Sequence, residues 1–204
     1  MSSRDVMLSR IRAALGDPAP APAEVPRDYR HGARQVDLDL FVERLEDYKA
    51  VVYRGVSVAE TVAALAPATL VVPPGIDAAW LPEGVEVLRD GGLGDEGLTA
   101  DTLAVAGGVL TAATVAVAET GTIVLDGSPD QGRRIISLLP DLHICVVRAD
   151  QVVASVPEAI ARLDPRRPLT WISGPSATSD IELNRVEGVH GPRRLHVIVT
   201  EGTP

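Results

Sequence analysis

Six short aliphatic runs constrain this chain more than any other feature. Residues 50–53, 69–72, 85–88, 143–147, 169–172 and 195–200 each read as a strand. Helical segments lie among them. Leu38, Phe41, Val42, Leu45 and Tyr48 mark one face of a helix before the first run. Ser57 and Glu60 form a capping box that opens a helix through Leu65, and Ser155 and Glu158 repeat the pattern with Pro157 tolerated in the first turn. Residues 133–138 read as a short helix closed by Pro140. Strands alternating with helices predict an α/β fold, with a mainly parallel sheet covered by helices on both faces.

The middle of the chain is less regular. Residues 102–106 fit a helix or an extended segment. Residues 115–118 and 122–125 are β-branched runs flanking Glu119-Thr120-Gly121, which predicts a sharp turn or bulge between extended pieces. Aromatic residues are only 3% of the chain, so aliphatic side chains must fill the core. A length of 204 residues suits one such core. The predicted domain starts at Val36. Residues 1–35 form an N-terminal arm: a helix capped by Ser2 or Ser3 and ended by Gly16, then a linker with Pro18, Pro20, Pro22 and Pro26.

Charge and cysteine usage narrow the function classes. A net charge of −9 disfavours nucleic acid and anionic membrane surfaces as partners. A local basic patch can still take a small anion. No apolar stretch approaches the roughly 20 residues of a membrane span, and the N-terminus lacks a signal-peptide pattern. The expectation is therefore a cytoplasmic protein. The single cysteine, Cys145, sits in the apolar run from His143 to Val147 and reads as a buried core thiol. Alone it cannot hold an iron–sulfur cluster. No histidine spacing supports zinc, and no cofactor is called for. Gly92-Leu-Gly94-Asp-Glu-Gly97 matches a dinucleotide-binding pattern, but Asp95 and Glu96 stand where a pyrophosphate must approach. A flexible acidic loop accounts for it better.

Three turns carry the candidate chemistry. In the first, Glu119 follows the apolar residues 115–118, where a carboxylate needs either a partner or a function. Desolvation there would favour acid/base or nucleophilic use. Gly121 permits close approach of a ligand, and Thr120 and Thr122 add hydroxyls. The same spacing also fits a Glu119 that pairs with an arginine and pins the turn. The second turn, Gly174-Pro175-Ser176-Ala-Thr178-Ser-Asp180-Ile-Glu182, follows a strand directly and offers donors for a carboxylate or phosphate. Asp180 and Glu182 can instead cap a helix start. The third, Gly188-Val-His190-Gly191-Pro192, holds a candidate proton donor or ligand contact in His190. A Ser176–His190–Asp180 triad lacks a nucleophile elbow. Arg133 and Arg134, behind Gly132, read either as a phosphate clamp or as solvated surface.

Taken together, these segments resemble the lactate-utilization protein C family, whose members are built around the LUD domain. The matching stretches are residues 117–125, 139–147, 174–182 and 188–192, and the similarity runs from about Val36 to the end. The resemblance implies a fold related to glucosamine-6-phosphate deaminase, ribose-5-phosphate isomerase and coenzyme A transferases. It also implies a role in oxidising L-lactate to pyruvate beside two iron–sulfur partner proteins. The cysteine clusters of such partners are absent here, so the expected role is an accessory or ligand-binding subunit. The alternative is an independent enzyme or binder for a phosphorylated or coenzyme A-linked metabolite, with Glu119 as nucleophile or base. Whether the chain is itself an enzyme stays open, as does its oligomeric state.

Overall fold

Val, Ile and Leu dominate the segments that become strands, because branched side chains pack well on a pleated surface. In the computed structural model the described residues are 2–16, 24–26, 35–65, 67–178, 186–187 and 191–201. They fall into two units, Met1–Arg30 and His31–Pro204.

The first unit contains α1 (Ser3–Leu15). Ser2 caps it reciprocally with Asp5, each side chain accepting the other's backbone N–H, at 3.2 and 3.0 Å. Gly16 ends the helix at φ +74°. None of the helix residues is buried.

The second unit runs in the order α2 (Leu38–Asp47), β1 (Val51–Arg54), α3 (Val58–Leu65), β2 (Thr69–Val72), β3 (Glu86–Arg89), α4 (Ala100–Ala104), β4 (Gly108–Ala112), β5 (Val115–Val117), β6 (Thr122–Leu125), β7 (Leu142–Arg148), β8 (Val152–Val153), α5 (Val156–Arg162), β9 (Thr170–Ile172), β10 (Ala177–Thr178), β11 (Val186–Glu187) and β12 (Arg194–Thr200). The main sheet has the strand order β1-β12-β7-β4-β2-β3, and every pair in it is parallel. This is the parallel α/β sheet that the alternation of segments predicts.

Successive residues of β7 point to opposite faces and serve separate cores. Cys145 and Val147 join Leu195, Val197 and Val199 of β12 under Phe41 and Leu45 of α2. Leu142, Ile144 and Val146 join Leu70, Val72, Leu110 and Ile198 under Val58 and Val62 of α3. The α2 face carries a layer absent from the sequence expectation. A second sheet, ordered β8-β5-β6-β9, packs there through Ala116, Ile123, Leu125 and Val152. β5 and β6 form an antiparallel hairpin, and β9 adds antiparallel to β6. Residues 169–172 are therefore not a strand of the parallel sheet.

β4, which lies between β7 and β2, also escaped the sequence reading. Its entry is Gly107-Gly108, which carries no strand preference. A Cβ on Gly107 would lie 2.9 Å from the backbone of Ala68 and Thr69, so a small residue is required where β4 enters beside β2. The ambiguous segment before it is helical, as α4, with Thr99 as its cap. The short helix expected at 133–138 is a 3₁₀ turn over Arg134–Ser137.

Candidate functional site

The first turn folds as a hairpin connection. Ala118–Thr120 is a 3₁₀ turn, and Gly121 closes it in the left-handed region at φ +59°. A Cβ on Gly121 would lie 2.7 Å from the backbone carbon of Arg44, so the close approach this glycine permits is that of α2. Glu119 is exposed to solvent. Its carboxylate accepts the Val156 N–H at 3.1 Å, and its own N–H donates to the Ala154 carbonyl at 3.2 Å. Glu119 thus satisfies one of the unpaired N–H groups at the start of α5 and ties the hairpin to that helix. The partner is a helix end, not an arginine.

The first and second turns meet through hydroxyls. Thr120 and Thr122 share a hydrogen bond at 2.8 Å, and Thr122 shares another, also 2.8 Å, with Ser173 at the end of β9. Gly174 follows at φ +86°, where a Cβ would press to 2.6 Å on Tyr48. Beyond it the Ser176 N–H donates to the Pro192 carbonyl at 2.8 Å, which joins the second turn to the third. Asp141 anchors the approach to β12. It accepts from Arg193 at 2.6 Å, which holds its carboxyl below the ordinary value.

These links enclose a cleft of about 230 Å³. Gly174, Pro175, Ser176 and Gly191 line it, facing Arg134, Ser137 and Trp171, with His143 and Leu195 also in the lining. Thr120 and Thr122 sit behind the wall and reach it through Ser173. Asp180, Glu182 and His190 lie outside the described residues, and for Thr178 only the backbone is described, paired with Val186. The cleft opens at the amino ends of β7 and β12. The second turn follows a strand directly, as expected, but that strand is β9 of the second sheet, not a strand of the parallel sheet.

Two lining residues carry the electrostatics. Arg134 is the charged side chain of this lining, is exposed, and has no carboxylate partner among the described residues. The pair Arg133–Arg134 divides in function. Arg133 turns inward and grips the buried Asp90 through Nε at 2.8 Å, while donating to the Leu98 carbonyl at 3.0 Å. Asp90 also accepts the Leu98 N–H at 2.8 Å, so the ion pair closes the base of the acidic loop 91–97. Arg134 stays in the lining of the cleft.

His143 is the residue that reading by motif missed. It is buried, and burial pushes its pKa down to about 4, so the imidazole is neutral at pH 7. Its Nε2 shares a hydrogen bond with Thr111 Oγ1 at 2.8 Å, and Thr111 also contacts Cys145 Sγ at 3.8 Å. The available signal was a lone imidazole inside the aliphatic run 142–147. Burial pushes the Cys145 thiol up to about 12, which leaves it an inert core group. Among the described residues no cluster of three or more His, Cys, Asp or Glu could hold a metal ion. The arrangement suits binding of a small anion: a guanidinium with no carboxylate partner among the described residues, nearby hydroxyls, and a neutral imidazole beneath.

Comparison with known proteins agrees with the fold. The LUD domain family matches residues 94–200. The lactate utilization protein C of Deinococcus radiodurans is 48% identical over 97% of this chain and 91% of that protein. The protein of the same name from Bacillus licheniformis is 34% identical, over 60% of this chain and 53% of its own length. The crystal structure of a DUF162 family protein from Deinococcus radiodurans superposes with a TM-score of 0.67 at 43% identity, covering 80% of this chain and 95% of that one. The chain therefore belongs to the lactate utilization protein C family, built on the LUD domain.

Proposed function

We propose that this chain acts in the utilization of L-lactate, as an accessory, ligand-binding component of its oxidation to pyruvate. The observation that carries this reading is the 48% identity to a lactate utilization protein C across nearly the whole of both chains. The cleft between residues 174–176 and Arg134 is the surface it uses, taking a small carboxylate or phosphate. The Arg134 guanidinium, without a carboxylate partner among the described residues of a chain of net charge −9, supports that choice. With one cysteine, this chain cannot supply the ligands of a cysteine-held iron–sulfur cluster. Electron transfer in this reading belongs to iron–sulfur partner proteins, in the cytoplasm. No helix among the described residues is long and apolar enough to cross a membrane.

Glu119 has no catalytic role in this reading, because its carboxylate is engaged at the start of α5. The test is a pull-down of the tagged full chain from lactate-grown cells. Co-purification of iron–sulfur proteins is the expected result. A chain that emerges alone, from cells that oxidise lactate normally, contradicts the accessory role.

A further inference from the structure

The floor of the cleft selects among the anions that Arg134 can attract. His143 is only 1% exposed, and it lines the cleft. Its Nε2 is engaged by Thr111, whereas Nδ1 has no hydrogen-bond partner among the described residues. No fully buried side-chain nitrogen or oxygen among those residues lacks a partner. Nδ1 is therefore the atom through which this ring meets the cleft. A ring nitrogen so nearly buried takes its partner from whatever fills the cavity.

Which partner it takes depends on the tautomer, and the residues behind the ring fix it. Thr111 Oγ1 lies 2.8 Å from His143 Nε2 and donates to Cys145 Sγ at 3.8 Å. Cys145 Sγ in turn donates to the Ala112 carbonyl at 3.8 Å. A carbonyl only accepts, and the thiol keeps its proton because burial raises its pKa to about 12. The donors thus run one way, from His143 Nε2–H to Thr111, from Thr111 to Cys145, and from Cys145 to Ala112. With Thr111 donating to Nε2 instead, the Cys145 sulfur would lose its donor. In the direction that keeps every bond, Nδ1 carries a bare lone pair. Protonation does not turn it into a donor at neutral pH, since burial holds the ring's pKa at about 4.

We propose that this cleft takes a protonated tetrahedral oxyanion, hydrogen phosphate or the monoanion of a phosphate ester, whose P–OH donates to His143 Nδ1 while its charged oxygens meet Arg134. The inference narrows the small-anion reading of the cleft to one ligand class, and rests on that reading. A carboxylate offers acceptors only, so its oxygen would face the Nδ1 lone pair. Ser137, Thr170, Ser173 and Ser176 add hydroxyls to the lining, which suits a tetrahedral anion better than a planar one. No carboxylate stands in the described lining to oppose the charge. Sulfate has the same shape but holds no proton at neutral pH, and is refused.

Trp171 lies in the lining and reports on it. The experiment follows its indole N–H resonance in the ¹⁵N-labelled full chain during titration with inorganic phosphate, sulfate, methyl phosphate and L-lactate. At neutral pH phosphate is expected to bind saturably, and sulfate about tenfold more weakly or worse for want of one hydrogen bond to a buried acceptor. Methyl phosphate loses its last proton near about pH 6, so it should resemble phosphate below that pH and sulfate well above it. Below that pH, tighter binding of the ester than of phosphate assigns the site to an ester, and the reverse to the free ion. The ring ¹⁵N shifts of His143 should report the Nε2–H tautomer. Those comparisons need no variant. Arg134→Gln should weaken both inorganic anions, and Thr111→Val, which removes the hydroxyl that sets the tautomer, should narrow the gap between phosphate and sulfate. Sulfate binding as tightly as phosphate, L-lactate binding more tightly than phosphate, or an Nδ1–H ring would overturn the proposal and leave the cleft as an anion site. A Trp171 signal unmoved by every anion would overturn both.

Discussion

At the scale of single residues, the buried imidazole of His143 makes this protein sensitive to acid. Its folded pKa is about 4, against an ordinary 6.5. Between those values the unfolded chain takes up the proton and the folded chain does not. Stability is therefore fully present above pH 6.5 and falls as the pH drops toward 4, by at most about 1.4 kcal/mol per unit for one group. Thermal unfolding followed across that range should show the loss, and His143→Gln should flatten it. Gly121 makes a different demand. With φ +59° and the Arg44 backbone 2.7 Å from any added Cβ, Gly121→Ala should cost about 2 kcal/mol or more, read by denaturant unfolding. The sequence marks Gly121 as a position of close approach but is silent on what approaches. The neighbour is α2, some 75 residues earlier in the chain, and no local pattern carries that information.

Among the elements, those with strong periodic patterns were legible and those made of small residues were not. β2, β7 and β12 follow from branched aliphatic runs, and α2 from the spacing of Phe41 and Leu45. β4 begins at a glycine pair and went unread. The hairpin β5–β6 was visible as two extended pieces around a sharp turn. Its membership of a second sheet was not, because pairing with β8 and β9 depends on residues about 30 to 50 positions away. The second turn therefore follows a strand of the second sheet. Glu119 illustrates the same limit: a carboxylate after an apolar run implies a partner, and the partner is the first N–H of a helix 37 residues later. Glu119→Gln keeps an oxygen acceptor and loses only the charge, so it should cost a few tenths of a kcal/mol; Glu119→Ala loses the cap as well and should cost about 1 kcal/mol. Both are read by chemical unfolding, and both should leave function intact. Loss of function in a stable Glu119→Gln protein would restore a catalytic role for this carboxylate.

On the scale of the whole molecule, the candidate chemistry collects at the amino edge of the parallel sheet. The cleft at the amino ends of β7 and β12 gathers the family-signature turns, with Arg134 at its mouth and neutral His143 at its floor. The central claim is that this chain acts in lactate utilization through the cleft. It is tested most directly by growth on L-lactate as sole carbon source, in a strain lacking this chain and complemented with either wild type or Arg134→Gln. The account predicts that wild type restores growth, and that the variant, present at the same level, does not. Normal growth of the deletion strain on L-lactate would contradict it.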